Sequence, residues 1–197
     1  MSPAALPRIV FVRHGETDWN AVGRLQGQRD VPLNDRGRGQ ARQNGALIAA
    51  RMPEAADFDF VASPLVRARE TMELVRAAMG LDPAAYRLDP VLREVSYGDW
   101  EGHTLDEIAA IAAEAYAARD RDKWGYASPN GESYADLSRR IEGWLATIAR
   151  DTVVVSHGGV YRVLRGLLDG VDRLELVRLD VPQDRVYLWQ GGVGRYI

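Results

Sequence analysis

Three short runs of β-branched and aromatic residues lie far apart in this chain, at Arg8–Val12, Phe58–Ala62 and Thr152–Val155. Each is continuous rather than alternating, the pattern of a strand buried on both faces. Each passes straight into polar, chemically capable residues and then into a helical pattern. The first runs into Arg13-His14-Gly15-Glu16-Thr17, the second into Ser63-Pro64 with Arg67 and Arg69 following, and the third into Ser156-His157-Gly158-Gly159. Strands that alternate with helices in this way predict an α/β fold. The expected architecture is a three-layer sandwich, with a mainly parallel central sheet and helices on both faces.

The connecting segments fill in that plan. Asn34 is placed to cap a helix running to about Met52, with Gly37 and Gly39 weakening its first turns. Ser63 reads as the cap and Pro64 as the first residue of a helix that ends at Gly80. A helix is expected from about Leu105 to Ala118, and another from Glu132, where Tyr134, Leu137, Ile141, Trp144, Leu145 and Ile148 fall at helical spacing. A further helix follows from Gly159 to Leu168. Leu174–Leu179 and Arg185–Trp189 read as late strands, the second at an edge. Segment 103–131 lies outside the alternation and is expected to form a small cap. No linker divides the chain, so 1–197 reads as one domain.

Composition removes several chemistries. With no cysteine among 197 residues, disulfide scaffolds, thiolate metal sites and cysteine nucleophiles are excluded. A formal charge of −3 disfavours a nucleic-acid partner. The apolar run Ile9–Val12 is too short for a signal-peptide core or a membrane span, so a cytoplasmic protein without membrane association is expected. Of 25 basic residues only Lys123 is lysine, so arginines must be weighed by position rather than by presence.

Position is informative here. In open α/β sheets ligands bind beyond the carboxyl ends of the strands, so the three polar strand ends should converge on one pocket. That pocket would hold His14, His157, Arg13 and Arg67, with helix N-termini adding free N–H groups. Arginine forks and imidazoles around a dipole-positive floor suit a phosphoryl group.

The same stretches resemble four motifs of the histidine phosphatase superfamily, the phosphoglycerate mutase-like proteins. Arg13-His14-Gly15-Glu16-Thr17-Asp18-Trp19-Asn20 is similar to the first, and Ser63-Pro64-Leu65-Val66-Arg67-Ala68-Arg69-Glu70-Thr71 to the second. Glu94 through Gly98-Asp99-Trp100-Glu101-Gly102 resembles the third, and Ser156-His157-Gly158-Gly159 the fourth. They occur in order from about Ile9 to Leu168.

The resemblance implies roles that also make chemical sense. His14 would attack phosphorus and form a phosphohistidine, splitting one displacement into two. One ring nitrogen must then be unprotonated and the other held, with a backbone carbonyl near Gly15 as the expected partner. Arg13, Arg67 and His157 would grip the phosphoryl oxygens. Glu94 would protonate the leaving oxygen and later deprotonate water, which favours a partly buried carboxyl. Asn20, Gln26, Gly27, Tyr97 and Gly158 would contact substrate. No cofactor and no metal is implied.

Plainer readings apply to the remainder. Arg69 and Glu70 read as helix-surface charges, Glu16 as a structural partner for its loop, and Trp19 and Trp100 as packing. His103 reads as an exposed loop histidine, while Tyr116, Trp124 and Tyr126 are placed to shape the substrate mouth. Gly191-Gly192-Val193-Gly194 resembles half a dinucleotide loop, but no helix can follow it. The serine-hydrolase elbow pattern, with a glycine on each side of the serine, is absent around Ser156.

Within the family, mutases resembling this chain use basic residues at positions that align here with Leu105, Arg121 and Asp122, only one of which is basic. Their Gly-Trp after the first loop is Gly27-Gln28 here. The reading is therefore the phosphatase branch: hydrolysis of a small-molecule phosphomonoester. Mutase-type transfer and a non-catalytic phospho-ligand module are the alternatives. A metal-dependent phosphohydrolase built on His14, His157, Glu16 and Asp18 is disfavoured, because arginines beside both histidines would repel a cation. A homodimer is compatible with the sequence, which does not decide the oligomeric state.

Overall fold

The computed structural model describes residues 6–197. Residues 1–5, included in the single-domain reading, lie outside the described residues.

Strand β1 (Ile9–Arg13) is followed by a short helix α1 (Asp18–Ala21) and the long helix α2 (Asp35–Arg51). Strand β2 (Asp59–Ala62) leads into α3 (Val66–Ala78) and the two-residue strand β3 (Arg87–Leu88). Helices α4 (Leu105–Ile111), α5 (Ala113–Arg121) and α6 (Tyr134–Leu145) precede strand β4 (Thr152–Ser156). The chain then runs through α7 (Gly158–Asp169), α8 (Arg173–Leu176), β5 (Val186–Gln190) and β6 (Val193–Tyr196).

Among the described residues the strands form one sheet in the order β3-β2-β4-β1-β5-β6. The first four run parallel, and β5 and β6 join antiparallel. Successive side chains of a strand point to opposite faces, and both faces are apolar and covered. Ile9, Phe11 and Val154 pack with Leu137, Ile141 and Leu164 of α6 and α7 on one side. Val10, Val12, Val153 and Val155 pack with Ile48, Met72 and Val75 of α2 and α3 on the other. The three-layer α/β expectation is met.

Four local expectations fail, each for a physical reason. Ser63 does not cap α3. The helix starts at Val66, and the carboxylate of Asp30 from another loop accepts the Val66 N–H at 2.6 Å. The 105–118 helix breaks at Ala112 (φ −146°, ψ 54°), giving α4 and α5. Leu174–Leu179 is not a strand, because Asp172 accepts the Leu174 N–H at 2.8 Å and starts α8. In a strand residues 174 and 176 would share a face, yet Leu174 is 73% exposed and Leu176 only 1%. Finally, β5 is flanked by β1 and β6 and is no edge. Gly191 and Gly192, both at positive φ, turn the chain back as a hairpin, which places β6 at the edge.

Gly37, which reads from sequence as a weak point in α2, has a packing reason. A Cβ there would stand 2.1 Å from the Glu16 carbonyl oxygen, and one on Gly15 would stand 2.2 Å from the Gly37 oxygen. The first turn of α2 and the loop after β1 touch backbone to backbone, which fixes the loop that carries His14.

Candidate active site

Because β4 lies between β1 and β2, the three polar strand ends are neighbours. Arg13 is in register with Ser156, the His14 N–H donates to the Ser156 carbonyl at 2.9 Å, and the Ser63 N–H donates to that of Val155 at 3.0 Å. Beyond them opens a cavity of about 130 Å³. Arg13, His14, Asn20, Gln26, Gly27, Arg67, Glu94, Tyr97 and Gly158 all line it. His157 is not among its wall residues. It is fully buried, with its ring centroid 5.1 Å from that of His14.

The tautomer of His14 follows from its partners. A carbonyl can only accept, so the 2.7 Å contact between Nδ1 and the Gly15 oxygen places the proton on Nδ1. Nε2 keeps its lone pair, toward which Arg67 Nε donates at 3.3 Å. Arg67 is itself anchored by donation to the carbonyls of Arg29 and Gly27, each at 2.7 Å. The Thr71 hydroxyl accepts the Gly15 N–H at 3.0 Å and donates to the Arg67 carbonyl at 2.7 Å, linking the two motifs. Arg13 Nη1 donates to the Val181 carbonyl.

Asn20 is oriented just as definitely. Its Oδ1 accepts from the Thr17 N–H at 3.2 Å and from Gln183 Nε2 at 3.1 Å, so its amide nitrogen is left to donate. Gln183 also donates to the His14 carbonyl at 3.1 Å. The Glu94 carboxylate is half-buried and accepts from the Gly159 N–H at the start of α7, 3.0 Å to each oxygen, and from its neighbour Val95 at 2.9 Å. Its backbone carbonyl is held by Arg140 Nη2 at 3.0 Å and by Gln28 Nε2 at 3.1 Å. Glu132 pairs with Arg140 at 3.1 Å and accepts the Ser96 N–H at 2.9 Å, bracing the same loop.

Burial decides the protonation states. Burial first, and then the charges of Arg67 and Arg13, hold the His14 imidazole well below its ordinary pKa. His157 is pushed down in the same way, by burial and then by Arg67, His14 and Arg13. Burial also lowers Arg67 to about 10, which leaves it charged at neutral pH. Tyr97 is raised well above its ordinary value by burial, then by Tyr134 and Glu94, so it stays a neutral phenol.

Sequence reasoning missed two arginines of the wall, Arg24 and Arg162. Arg24 is spent on a two-pronged pair with Glu107, at 2.7 and 2.9 Å. Among the described residues Arg162 has only neutral hydrogen-bond partners, donating to the Leu179 carbonyl at 3.0 Å and to the Tyr134 hydroxyl at 3.2 Å. The usable signal was its place four residues after Gly158, one helical turn along the same face. Conversely, Tyr116, Trp124 and Tyr126 do not line the cavity. Trp124 stacks on Tyr134 and Tyr126 on Trp100. His103 is half-buried rather than exposed and is also not in the wall. Glu16 is a loop partner, accepting from Asn34 at 3.1 Å and Arg36 at 3.0 Å. Among the described residues no group of three or more His, Asp or Glu side chains is arranged to hold a metal ion. No helix among them is long and apolar enough to cross a membrane.

The chain is 35% identical over 192 residues to a 2,3-bisphosphoglycerate-dependent phosphoglycerate mutase of Azorhizobium caulinodans, covering 93% of this chain and 92% of that protein. It is 37% identical to an adenosylcobalamin/alpha-ribazole phosphatase of Salmonella typhimurium, over 80% of this chain and 77% of the relative. A solved mycobacterial glucosyl-3-phosphoglycerate phosphatase, in complex with VO3, superposes with a TM-score of 0.76 at 31% identity and 92% coverage of both chains. A family model of the histidine phosphatase superfamily (branch 1) matches residues 9–191, and four sequence motifs that meet at one buried histidine make the chain a member of that superfamily.

Proposed function

We propose that this protein hydrolyses small phosphomonoesters through a phosphohistidine at His14. The observation that carries the reading is the His14 ring itself: Nδ1–H is tied to Gly15 O, and Nε2 keeps its lone pair, toward which Arg67 Nε donates at 3.3 Å. In the first step the Nε2 pair attacks phosphorus, the ester P–O bond breaks, and Glu94 delivers a proton to the leaving oxygen. In the second step Glu94 takes a proton from water as the water oxygen attacks phosphorus. The P–N bond then breaks and inorganic phosphate leaves. Arg13, Arg67, the Asn20 amide and His157 meet the charge that spreads over the equatorial oxygens. Arg162, paired with no carboxylate among the described residues and lining the same cavity as Glu94, favours esters whose leaving group carries a second anionic group.

Mutase-type transfer is the second reading, favoured by the relationship to the Azorhizobium mutase over nearly its whole length. A panel of phosphomonoesters assayed in EDTA decides between them. Release of inorganic phosphate at rates independent of an added phosphoglycerate acceptor supports hydrolysis, whereas phosphate appearing on the acceptor supports transfer. Loss of the acid-labile phosphoenzyme in His14→Ala is expected. Retention of more than a trace of turnover in that variant would overturn the nucleophile.

A further inference from the structure

The second histidine is as tightly specified as the first, and the residue that specifies it is Ser63. Its side chain is fully buried at the end of β2, and its hydroxyl oxygen lies 2.7 Å from His157 Nε2. Among the described residues the only other hydrogen bond to that oxygen comes from the Leu65 N–H, a donor, at 3.4 Å. Were Nε2 also protonated, the hydroxyl would accept twice and its own hydrogen would be buried with no acceptor. Leaving such a hydrogen unmet in the interior carries a desolvation penalty. The serine hydroxyl must therefore donate, and Nε2 must accept.

His157 Nδ1 is buried and has no hydrogen-bond partner among the described residues. Burial and the neighbouring Arg67 disfavour the doubly protonated ring, so the single proton resides on Nδ1. The two rings, 5.1 Å apart, then carry the same Nδ1–H tautomer but are tethered at opposite nitrogens, His14 through Nδ1 and His157 through Nε2. His14 is held by a carbonyl and offers a lone pair, whereas His157 is held by a hydroxyl and offers an N–H.

We infer that Ser63 is the positioning residue that fixes His157 as its Nδ1–H tautomer, so that this ring donates to a bound phosphoryl oxygen and cannot compete with His14 for phosphorus. The assignment deepens the phosphohistidine reading and rests on it for its catalytic meaning. The tautomer itself is decided separately. With the opposite tautomer, Nδ1 would present a lone pair to an anion, and the site would lose a donor and gain a repulsive contact.

The test uses the full chain labelled with 15N-histidine. Its three histidines are assigned by single substitutions, and long-range 1H–15N spectra are recorded with and without inorganic phosphate or vanadate. The expected result is His157 protonated at Nδ1 and bare at Nε2, with the Nδ1 signal moving when the anion binds. Ser63→Ala removes only the hydroxyl. It should populate the Nε2–H form, weaken vanadate inhibition and lower kcat by about 10- to 100-fold, by analogy with the loss of the outer partner of a metal-bound histidine. Ser63→Thr, which keeps a donor, should restore the wild-type tautomer and most of the rate. A wild-type His157 protonated at Nε2 would overturn the inference whether or not any variant folds. A Ser63→Ala spectrum and kcat that both match wild type would overturn it too. Failure of His14→Ala to abolish the phosphoenzyme would sink the phosphohistidine reading while leaving the tautomer result standing.

Discussion

Gly159 lies in the second residue of α7 against the Glu94 carboxylate, and replacing it with alanine tests what that contact does. A Cβ at 159 would stand 2.4 Å from Glu94 Oε1 and 3.2 Å from Leu137 Cδ2. Restoring an ordinary contact requires the carboxylate oxygen to retreat by about 1 Å. The loop cannot move to absorb this, because the Glu94 carbonyl is held by Arg140 and Gln28. The carboxylate must therefore swing, and it leaves the Gly159 N–H that now meets both its oxygens at 3.0 Å. Misplacement of a reacting group by about 1 Å costs about 10²-fold, or roughly 2.7 kcal/mol of transition-state stabilisation. Stability should hardly change, since alanine is favoured over glycine in a helix by up to ~1 kcal/mol and that gain offsets the local repacking. The assay is kcat for an alkyl phosphate and for nitrophenyl phosphate, alongside a thermal melt. The expected outcome is a loss of about 100-fold on the alkyl ester. The loss on the nitrophenyl ester, whose leaving group needs little protonation, should be much smaller, with Tm nearly constant. An equal loss on both esters, or wild-type rates on both, would refute the reasoning.

Other expectations follow from the same geometry. Glu94→Gln should keep the phosphoenzyme burst with nitrophenyl phosphate while turnover of alkyl phosphates collapses, as read by rapid-quench kinetics. Arg162→Met should raise KM for esters bearing a carboxylate or second phosphate by about tenfold, the loss of roughly 1.4 kcal/mol from one charged contact, and leave nitrophenyl phosphate nearly unchanged. His14 and His157 are buried neutral with folded-state pKa values below the unfolded ones. As pH falls below about 6.5 the unfolded chain takes up protons that the folded one refuses. Stability should then drop by about 1.4 kcal/mol per pH unit for each ring, present above that pH and lost below it. Urea unfolding at several pH values reads this slope, and a flat profile through pH 5–6.5 would contradict neutral burial of both rings. Because the nucleophile is already neutral, kcat/KM for the folded enzyme should show no acid limb centred near that pH.

What could be read from the chain alone was what depends on neighbours in sequence. Four β-formers at Thr152–Val155 are a strand in almost any context, and Asn34 caps α2 by accepting the Gly37 N–H three residues on, at 2.9 Å. The polar residues at the three strand ends followed from topology, since parallel strands present their carboxyl ends on one side. Tertiary structure decided whatever depends on a partner far along the chain. Ser63 and Pro64 have a local pattern that fits a helix start. A remote carboxylate, Asp30, takes the cap, and the Ser63 hydroxyl turns to a histidine 94 residues away. Arg162 and Arg140 look alike in sequence. One faces the cavity without a carboxylate and the other braces the Glu94 loop against Glu132, a difference made by packing of α6 and α7. Local propensity acts over a few residues, whereas the protonation and direction of a buried polar group depend on every atom that encloses it, and those atoms are brought together only by the fold.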